Sequence, residues 1–362
     1  MRPLVSILIP AYNAERWIAD TIRSALAQTW PHKEVIIVDD GSRDRTLSIA
    51  RQFASRDVFV VTQENQGASA ARNKAFERCQ GAYVQWLDAD DLLAPDKIAR
   101  QMEAGELESK RTLISSTWGY FIYSPNRAKF VPTPLWCDLA PVEWLIRKMG
   151  QNLHMPPATW LVSRELTEAA GPWDSRLSFD DDGEYFCRVI LTSDAIRFVP
   201  DAKVFYRASG FTSLSSMDES DEKLASLFLS MQLHVDYICS LEDSERVRAT
   251  CLNYLQSRFV RFYPERVAFV EQLQRLAATL GGRLEIPQLS WKYSWMRKFF
   301  GWRLYKRFRQ HYGGRAKSFV VRSFDKALFR LKDGHTASAK RRFRVNSAVS
   351  GSRELIPPTV NR

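Results

Sequence analysis

Several features of common protein classes are scarce or missing in this sequence. Its 362 residues include five cysteines, Cys79, Cys137, Cys187, Cys239 and Cys251. They are odd in number, widely spaced and without a CxxC pair. That excludes a disulfide scaffold and reads as reduced thiols. No stretch approaches about 18 uncharged apolar residues, so no transmembrane helix is expected. The opening run MRPLVSILIPAYN has no small-residue cleavage site and reads as a buried strand. No Walker loop occurs, and no GxGxxG follows the first strand. A P-loop NTPase and a dinucleotide-binding enzyme are therefore disfavoured. No internal repeat is visible.

What is present is ordinary in amount and uneven in placement. Hydrophobic residues make up 45% and charged residues 26%, enough apolar material for a sizeable core. The net charge is +11. Residues 291–362 hold 19 Lys and Arg against 3 Asp and Glu, which leaves residues 1–290 mildly acidic. An acidic body with a basic tail points to two jobs.

The first hundred residues alternate between two periods. Val5–Ile9, Glu34–Asp39, Val58–Val61 and Tyr83–Leu87 are apolar runs, the mark of strands buried on both faces. Between them Ile18, Ile22 and Leu26 share a helical face, and Arg45–Ser55 and Ala68–Arg78 read as helices. Strands spaced by the length of a βαβ unit predict an α/β fold, an open and mostly parallel sheet flanked by helices. Beyond it, Leu113–Tyr123 is β-rich, Glu143–Met149 is a short helix, and Thr159–Ser163 and Ala202–Tyr206 are candidate strands. Residues 219–290 read as a helical extension, 291–332 as a basic aromatic segment and 333–362 as a disordered tail. The α/β domain is then 1–218.

Ligands of open α/β sheets bind beyond the carboxyl ends of the strands. The segments there are Pro10–Asn13, Asp39–Ser42, Asn65–Gly67 and Asp88–Asp91. Asp39 and Asp40 form either a turn with capping by Ser42 or Asp44, or, at Asp40, an acceptor for a pyrimidine N–H or a ribose hydroxyl. Tyr12 could stack on the same base. Asp88, Asp90 and Asp91 crowd three carboxylates into four residues. They are either a solvated, helix-capping turn or a site for Mg²⁺ or Mn²⁺ shared with a diphosphate. Arg72 is either a surface ion pair or a diphosphate contact. Asp180-Asp181-Asp182 opens an amphipathic run. The bland role is a helix start favoured by the dipole; the sharper one is a general base.

Taken together, SILIPAYNAERWI, EVIIVDDGSRDRT, ENQGASAARNKA, the LDADD strand end and FDDDGEYFCRV resemble the family 2 glycosyltransferases, inverting enzymes of the GT-A fold. The resemblance runs from about Val5 to Arg207. It implies that Pro10, Ala11 and Tyr12 line the base pocket and that Asp40 bonds a uracil-type base. It places Arg72 near the base and phosphates, Asp88 on ribose, and Asp90 on the metal as in a DXD motif. Asp182 becomes the base, with Asp181, Glu184 and Arg188 completing the motif. Asp181 replaces the more usual Glu, and three successive aspartates leave that alignment one residue uncertain. Tyr206-Arg207 and Ser213–Ser215 resemble the region that closes over the donor; the His common there is absent. The implied cofactor is Mn²⁺ or Mg²⁺. The implied partners are a nucleotide-sugar donor, UDP-sugar by default, and a glycan or lipid-linked acceptor. The alternative is a non-catalytic binding or scaffold protein of the same fold.

Trp291, Trp295, Phe299 and Trp302 fall on one helical face among many cations. This composition suits a helix lying in a membrane interface, against the alternative that the stripe packs on the catalytic domain. No nucleic-acid motif accompanies the charge. The expected location is cytoplasmic, peripheral on the inner membrane face.

Overall fold

A computed structural model of the chain describes residues 2–105, 109–208 and 220–286. The segments 291–332 and 333–362, and Ser213–Ser215, lie outside the described residues. The chain divides into two compact units, Met1–Phe121 with Ala128–Trp295, and Ile122–Arg127 with Met296–Arg362. Every element named below belongs to the first.

The order is β1 (Val5–Ala11), α1 (Ile18–Leu26), β2 (Lys33–Asp40), α2 (Thr46–Arg51), β3 (Val58–Gln63), α3 (Ala68–Arg78) and β4 (Tyr83–Trp86). Then come β5 (Leu92–Leu93), α4 (Lys97–Gly105), β6 (Thr112–Phe121), β7 (Lys129–Phe130), α5 (Pro141–Gly150), β8 (Val162–Ser163) and α6 (Arg164–Ala170). The rest is α7 (Asp181–Thr192), β9 (Ala195–Arg207), α8 (Asp221–Leu241), α9 (Glu245–Phe259) and α10 (Val267–Thr279).

The main sheet runs β3-β2-β1-β4-β8, with β8 antiparallel to four parallel strands. The apolar runs have the reason expected of them. Alternate residues of a strand point to opposite faces. Val5, Ile7 and Ile9 meet α1 and α4 in one core, while Leu8 faces the other core with Trp86, Ala71, Ala75 and Tyr185. Ile36 and Val38 divide from Val35 and Ile37 in the same way.

A smaller sheet, β5-β9-β6-β7, stands beside it. Its two long strands, β6 and β9, are parallel and slip register between Ser116–Val199 and Thr117–Lys203. Pro200, which lacks an N–H, lies in the looped-out part. Its carbonyl accepts a hydrogen bond from Thr117 Oγ1 at 2.8 Å.

Four expectations need correction. In α1 the buried face is Ile18, Thr21, Ile22 and Ala25, and Leu26 is exposed. At 3.6 residues per turn Ala25 falls nearer the Ile18–Ile22 stripe than Leu26 does. The helix expected over 45–55 stops at Arg51, because Ser55 already bridges to Val58 as the chain turns into β3. The expected strand 159–163 is cut to β8 by a 3-10 turn over Pro157–Thr159, whereas the strand at 202–206 extends back to Ala195. Finally, α8 is long and apolar enough, by length and composition, to cross a membrane. It packs instead on α7 and α9, burying Leu227, Met231, Val235 and Ile238 together with the polar Ser230 and His234. Ser220 and Ser244 cap α8 and α9 through their hydroxyls.

Candidate active site

All four motif loops follow the carboxyl ends of the parallel strands, and their local bonding explains their sequences. Pro10 and Ala11 end β1 buried; Tyr12 follows with its ring exposed. The turn after β1 is tied to the turn after β2. Asn13 N–H donates to Ser42 Oγ at 3.0 Å, Ala14 N–H to Thr46 Oγ1 at 2.7 Å and Glu15 N–H to Asp44 Oδ2 at 3.1 Å. Ser42 and Asp44 therefore brace the neighbouring loop as well as their own turn. Gly41 has φ +69°, and a Cβ there would lie 2.8 Å from Asn65 N. Only glycine fits that close approach.

Asp40 is buried at the end of β2. Its Oδ1 accepts from Gln63 Nε2 at 2.7 Å and Gln66 N–H at 2.9 Å, and its Oδ2 accepts from Gly67 N–H at 2.9 Å. Its carboxylate organises the loop that leads into α3. Asp39 accepts from Ser42 N–H through Oδ2 at 3.2 Å, and its buried Oδ1 has no partner.

Arg72, on α3, is a buried clamp and not a surface ion pair. It donates from Nη2 to Asp88 Oδ1 at 2.8 Å and from Nη1 to Asp181 Oδ2 at 2.6 Å. Its guanidinium lies 4.2 Å from the Trp173 ring centroid. Trp173 is itself fixed by reciprocal bonds with the Asn73 side chain at 2.8 and 2.9 Å. Against its burial, the two carboxylates hold the Arg72 pKa above its ordinary value. This joins the β4 end to the start of α7 across the site.

In the acidic turn, Asp88 and Asp90 are partly exposed and Asp91 is fully buried. Asp91 Oδ1 accepts from Arg207 N–H at 2.7 Å, while its Oδ2 is buried without a partner. Burial first, then the charges of Asp90 and Asp88, pushes the Asp91 carboxyl well up. Arg207 donates from Nε to the Asp90 carbonyl at 2.7 Å and lies 4.0 Å from the Trp17 ring centroid. Among the described residues no three His, Cys, Asp or Glu side chains form a ready ligand set. Crowded carboxylates at an open strand end nevertheless fit Mg²⁺ or Mn²⁺ in their commonest arrangement, one or two carboxylates completed by phosphate oxygens. The orphaned Asp91 oxygen is a buried polar atom without a partner in the same turn.

The second acidic cluster starts α7, as expected, but its members differ sharply. Asp180 precedes the helix with φ +61°. Its Oδ2 accepts from Ser230 Oγ at 2.6 Å. Although burial raises it, the charges of His234, Lys148 and Arg258 leave its pKa below normal. Asp182 is pushed up to about 7, by burial first and then by Asp181 and Asp180, with Arg72 opposing. Glu184 and Arg188 stand apart from this group. Buried Glu184 receives Arg188 Nε at 2.7 Å and Tyr237 OH at 2.8 Å, so the pair staples α7 to α8. Arg188 also donates to the Pro172 carbonyl at 2.8 Å.

Sequence reasoning missed several neighbours. His154 and Tyr206 pack edge-on with Trp118, at 5.6–5.8 Å between centroids. A histidine therefore does sit beside the Tyr206-Arg207 pair, supplied from a distant loop. His234 on α8 lies with Nδ1 2.7 Å from the Ser230 carbonyl and Nε2 3.0 Å from the Gly183 carbonyl. Lys148 and Arg258 join Asp182 in lining one cavity. No local motif marks these residues.

An open parallel sheet with carboxylates after its strands and a second small sheet beside it defines the GT-A architecture. Residues 6–167 match the family model described as Glycosyl transferase family 2. A putative teichuronic acid biosynthesis glycosyltransferase, TuaG of Bacillus subtilis (strain 168), is 42% identical over 139 residues, 37% of this chain and 54% of that protein. The glycosyltransferase EpsJ of the same organism is 29% identical over 234 residues, 62% of this chain and 67% of its own. The chain thus spans about half the length of TuaG. The crystal structure of S. aureus TarS 1-349 in complex with UDP-GlcNAc superposes with a TM-score of 0.61 at 18% identity. That match covers 76% of this chain and 83% of TarS 1-349, and at this identity it shows the fold. Residues 6–167, somewhat under half of the chain, thus carry the likeness to glycosyl transferase family 2.

Proposed function

We propose that the chain is a metal-dependent, inverting glycosyltransferase that moves a sugar from a nucleotide sugar to an acceptor hydroxyl. The observation that carries this reading is Asp182. Its pKa of about 7 suits a group that must accept a proton near neutral pH. It stands beside Asp181, which shares the Arg72 clamp with Asp88 of the nucleotide side.

In this reading Tyr12 stacks on the base beside Pro10 and Ala11, Asp40 shapes the base pocket, and Asp88 meets the ribose. Arg72 and Asp181 hold Asp88 in register with the start of α7. Asp90 would hold Mn²⁺ or Mg²⁺, which when bound supplies positive charge to the diphosphate leaving group. Asp182 takes the proton from the acceptor hydroxyl. The freed oxygen lone pair forms the new bond to the anomeric carbon from the face opposite the diphosphate. The old carbon–oxygen bond breaks and its electron pair leaves with the nucleotide. One displacement inverts the centre, and one carboxylate base suffices.

TarS has been solved with UDP and with UDP-GlcNAc, which supports UDP as the first nucleotide to test. TuaG carries teichuronic acid biosynthesis in its name, which supports a cell-envelope glycan or lipid-linked acceptor. Work at the inner membrane face, with contact through 291–332, completes the proposal. Deleting 291–362 should then abolish sedimentation with anionic liposomes.

The test is a thermal-shift panel of UDP, GDP, dTDP and CMP, each with Mn²⁺ or EDTA. A ligand that binds only the native state raises Tm by mass action. A manganese-dependent rise with one nucleotide is expected. No rise with any nucleotide in a folded sample would favour the non-catalytic alternative.

A further inference from the structure

Asp182 opens into a cavity of about 210 Å³ that none of the nucleotide-side residues lines: Pro10, Tyr12, Asp40, Asp88 and Asp90 are all absent from its wall. The wall carries Lys148 from α5, Arg258 from the end of α9 and Arg261 just beyond it, over the aromatic faces of Trp160 and Phe186. The volume is below the roughly 300–1,000 Å³ of a pocket that encloses a whole ligand. It suits one charged group and the adjoining part of a sugar.

The charges in this cavity do not balance. Asp180 supplies one negative charge, which Lys148 and Arg258 share, and Asp182 is only partly ionised at neutral pH. Facing them, neither Lys148 nor Arg258 forms an ion pair among the described residues. Lys148 Nζ reaches only His234 Nε2, at 3.5 Å. Arg258 stacks on the Tyr254 ring at 4.1 Å, and its Nη1 is buried with no hydrogen-bond partner. A buried guanidinium N–H without an acceptor is costly, and an incoming oxyanion would satisfy it.

We propose that this cavity receives an anionic group of the acceptor, a phosphodiester or a carboxylate close to the hydroxyl that takes the sugar. The inference rests on reading Asp182 as the base, since that residue ties the cavity to the reacting hydroxyl. Arg258 and Lys148 bind the anion, and binding it places the hydroxyl against Asp182. The same cations discriminate against neutral acceptors, whose binding leaves Arg258 Nη1 unsatisfied.

The experiment is calorimetric titration of the full chain with three oligomers of matched length: a glycerol-phosphate oligomer, an oligogalacturonate and a neutral maltooligosaccharide. One anionic oligomer should bind about tenfold more tightly than the neutral one, and which of the two does so identifies phosphate or carboxylate. Arg258→Gln should remove that preference. Lys148→Gln, on a half-buried side chain, repeats the test if Arg258→Gln does not fold. Equal binding of all three oligomers overturns the proposal. So does a preference that survives both substitutions, which would assign it to the basic tail. UDP titrated into the same samples separates the two readings: failure of UDP to bind counts against the donor site, and loss of oligomer discrimination on substitution of Arg258 or Lys148 reports on the cavity.

Discussion

The two sides of Asp182 are built in opposite ways. On the side proposed for the nucleotide, Asp40 is held by Gln63, Gln66 and Gly67, and the first turn by Ser42, Asp44 and Thr46. On the cavity side, cations from α5 and α9 face one ionised carboxylate, Asp180, and another that resists ionising, Asp182. In the proposed reading the first side is a pre-formed mould for the nucleotide, and the second, where Arg258 Nη1 is buried without a partner, selects the acceptor. The family match ends at residue 167, so Asp182, Lys148 and Arg258 divide across its edge.

The largest effect should come from the residue the two sides share. Asp182→Asn should lower transfer by about 10²–10⁴-fold, the usual worth of a positioned general base, and leave UDP affinity as it was. The same change should stabilise the fold above pH 7. The folded Asp182 pKa is raised, so its burial costs nothing below the unfolded carboxylate range. That cost grows as pH climbs and is complete above about 7. A Tm gain of several degrees at pH 8, and none at pH 4, is the expected scan.

Next in size is the clamp that joins the sides. Arg72→Ala strands Asp88 and Asp181 opposite one another. Breaking a buried ion network this way costs about 3–5 kcal/mol, with the lower end fitting these partly exposed partners. Urea denaturation measures it, and Arg72→Lys should recover little, since one ammonium does not reproduce the fork.

This difference in construction also decides what the sequence made legible. The four strands and their terminal motifs were readable because each depends on near neighbours: apolar alternation, a turn glycine, carboxylates at a strand end. The Arg72 clamp was not, because its partners lie 16 and 109 positions away. His154 beside Tyr206, and Arg258 beside Lys148, were invisible for the same reason. Among three successive aspartates, spacing alone could not separate roles. Ser230 and His234 on α8 fix Asp180, and burial beside two like charges singles out Asp182.

Smaller effects sharpen the contrast. Ser230→Ala removes the hydroxyl from Asp180 on the cavity side and should cost about 1–3 kcal/mol in stability, the penalty for a buried acceptor left short. Its UDP affinity should not change, because the nucleotide side is self-supporting. Tyr12→Ala should do the reverse. Its exposed ring contributes nothing to the core, so stability holds, while UDP binding weakens by about 0.5–1.5 kcal/mol of lost stacking. Denaturation and calorimetry on both variants read the two axes separately.

The most direct test of Asp182 as the base is the pH dependence of kcat/KM for sugar transfer between pH 5 and 9. The rate should rise about tenfold per pH unit below an apparent pKa near 7 and level off above it, and the limb should vanish in the residual activity of Asp182→Asn. A profile without that limb, or the same limb in Asp182→Asn, would contradict the assignment.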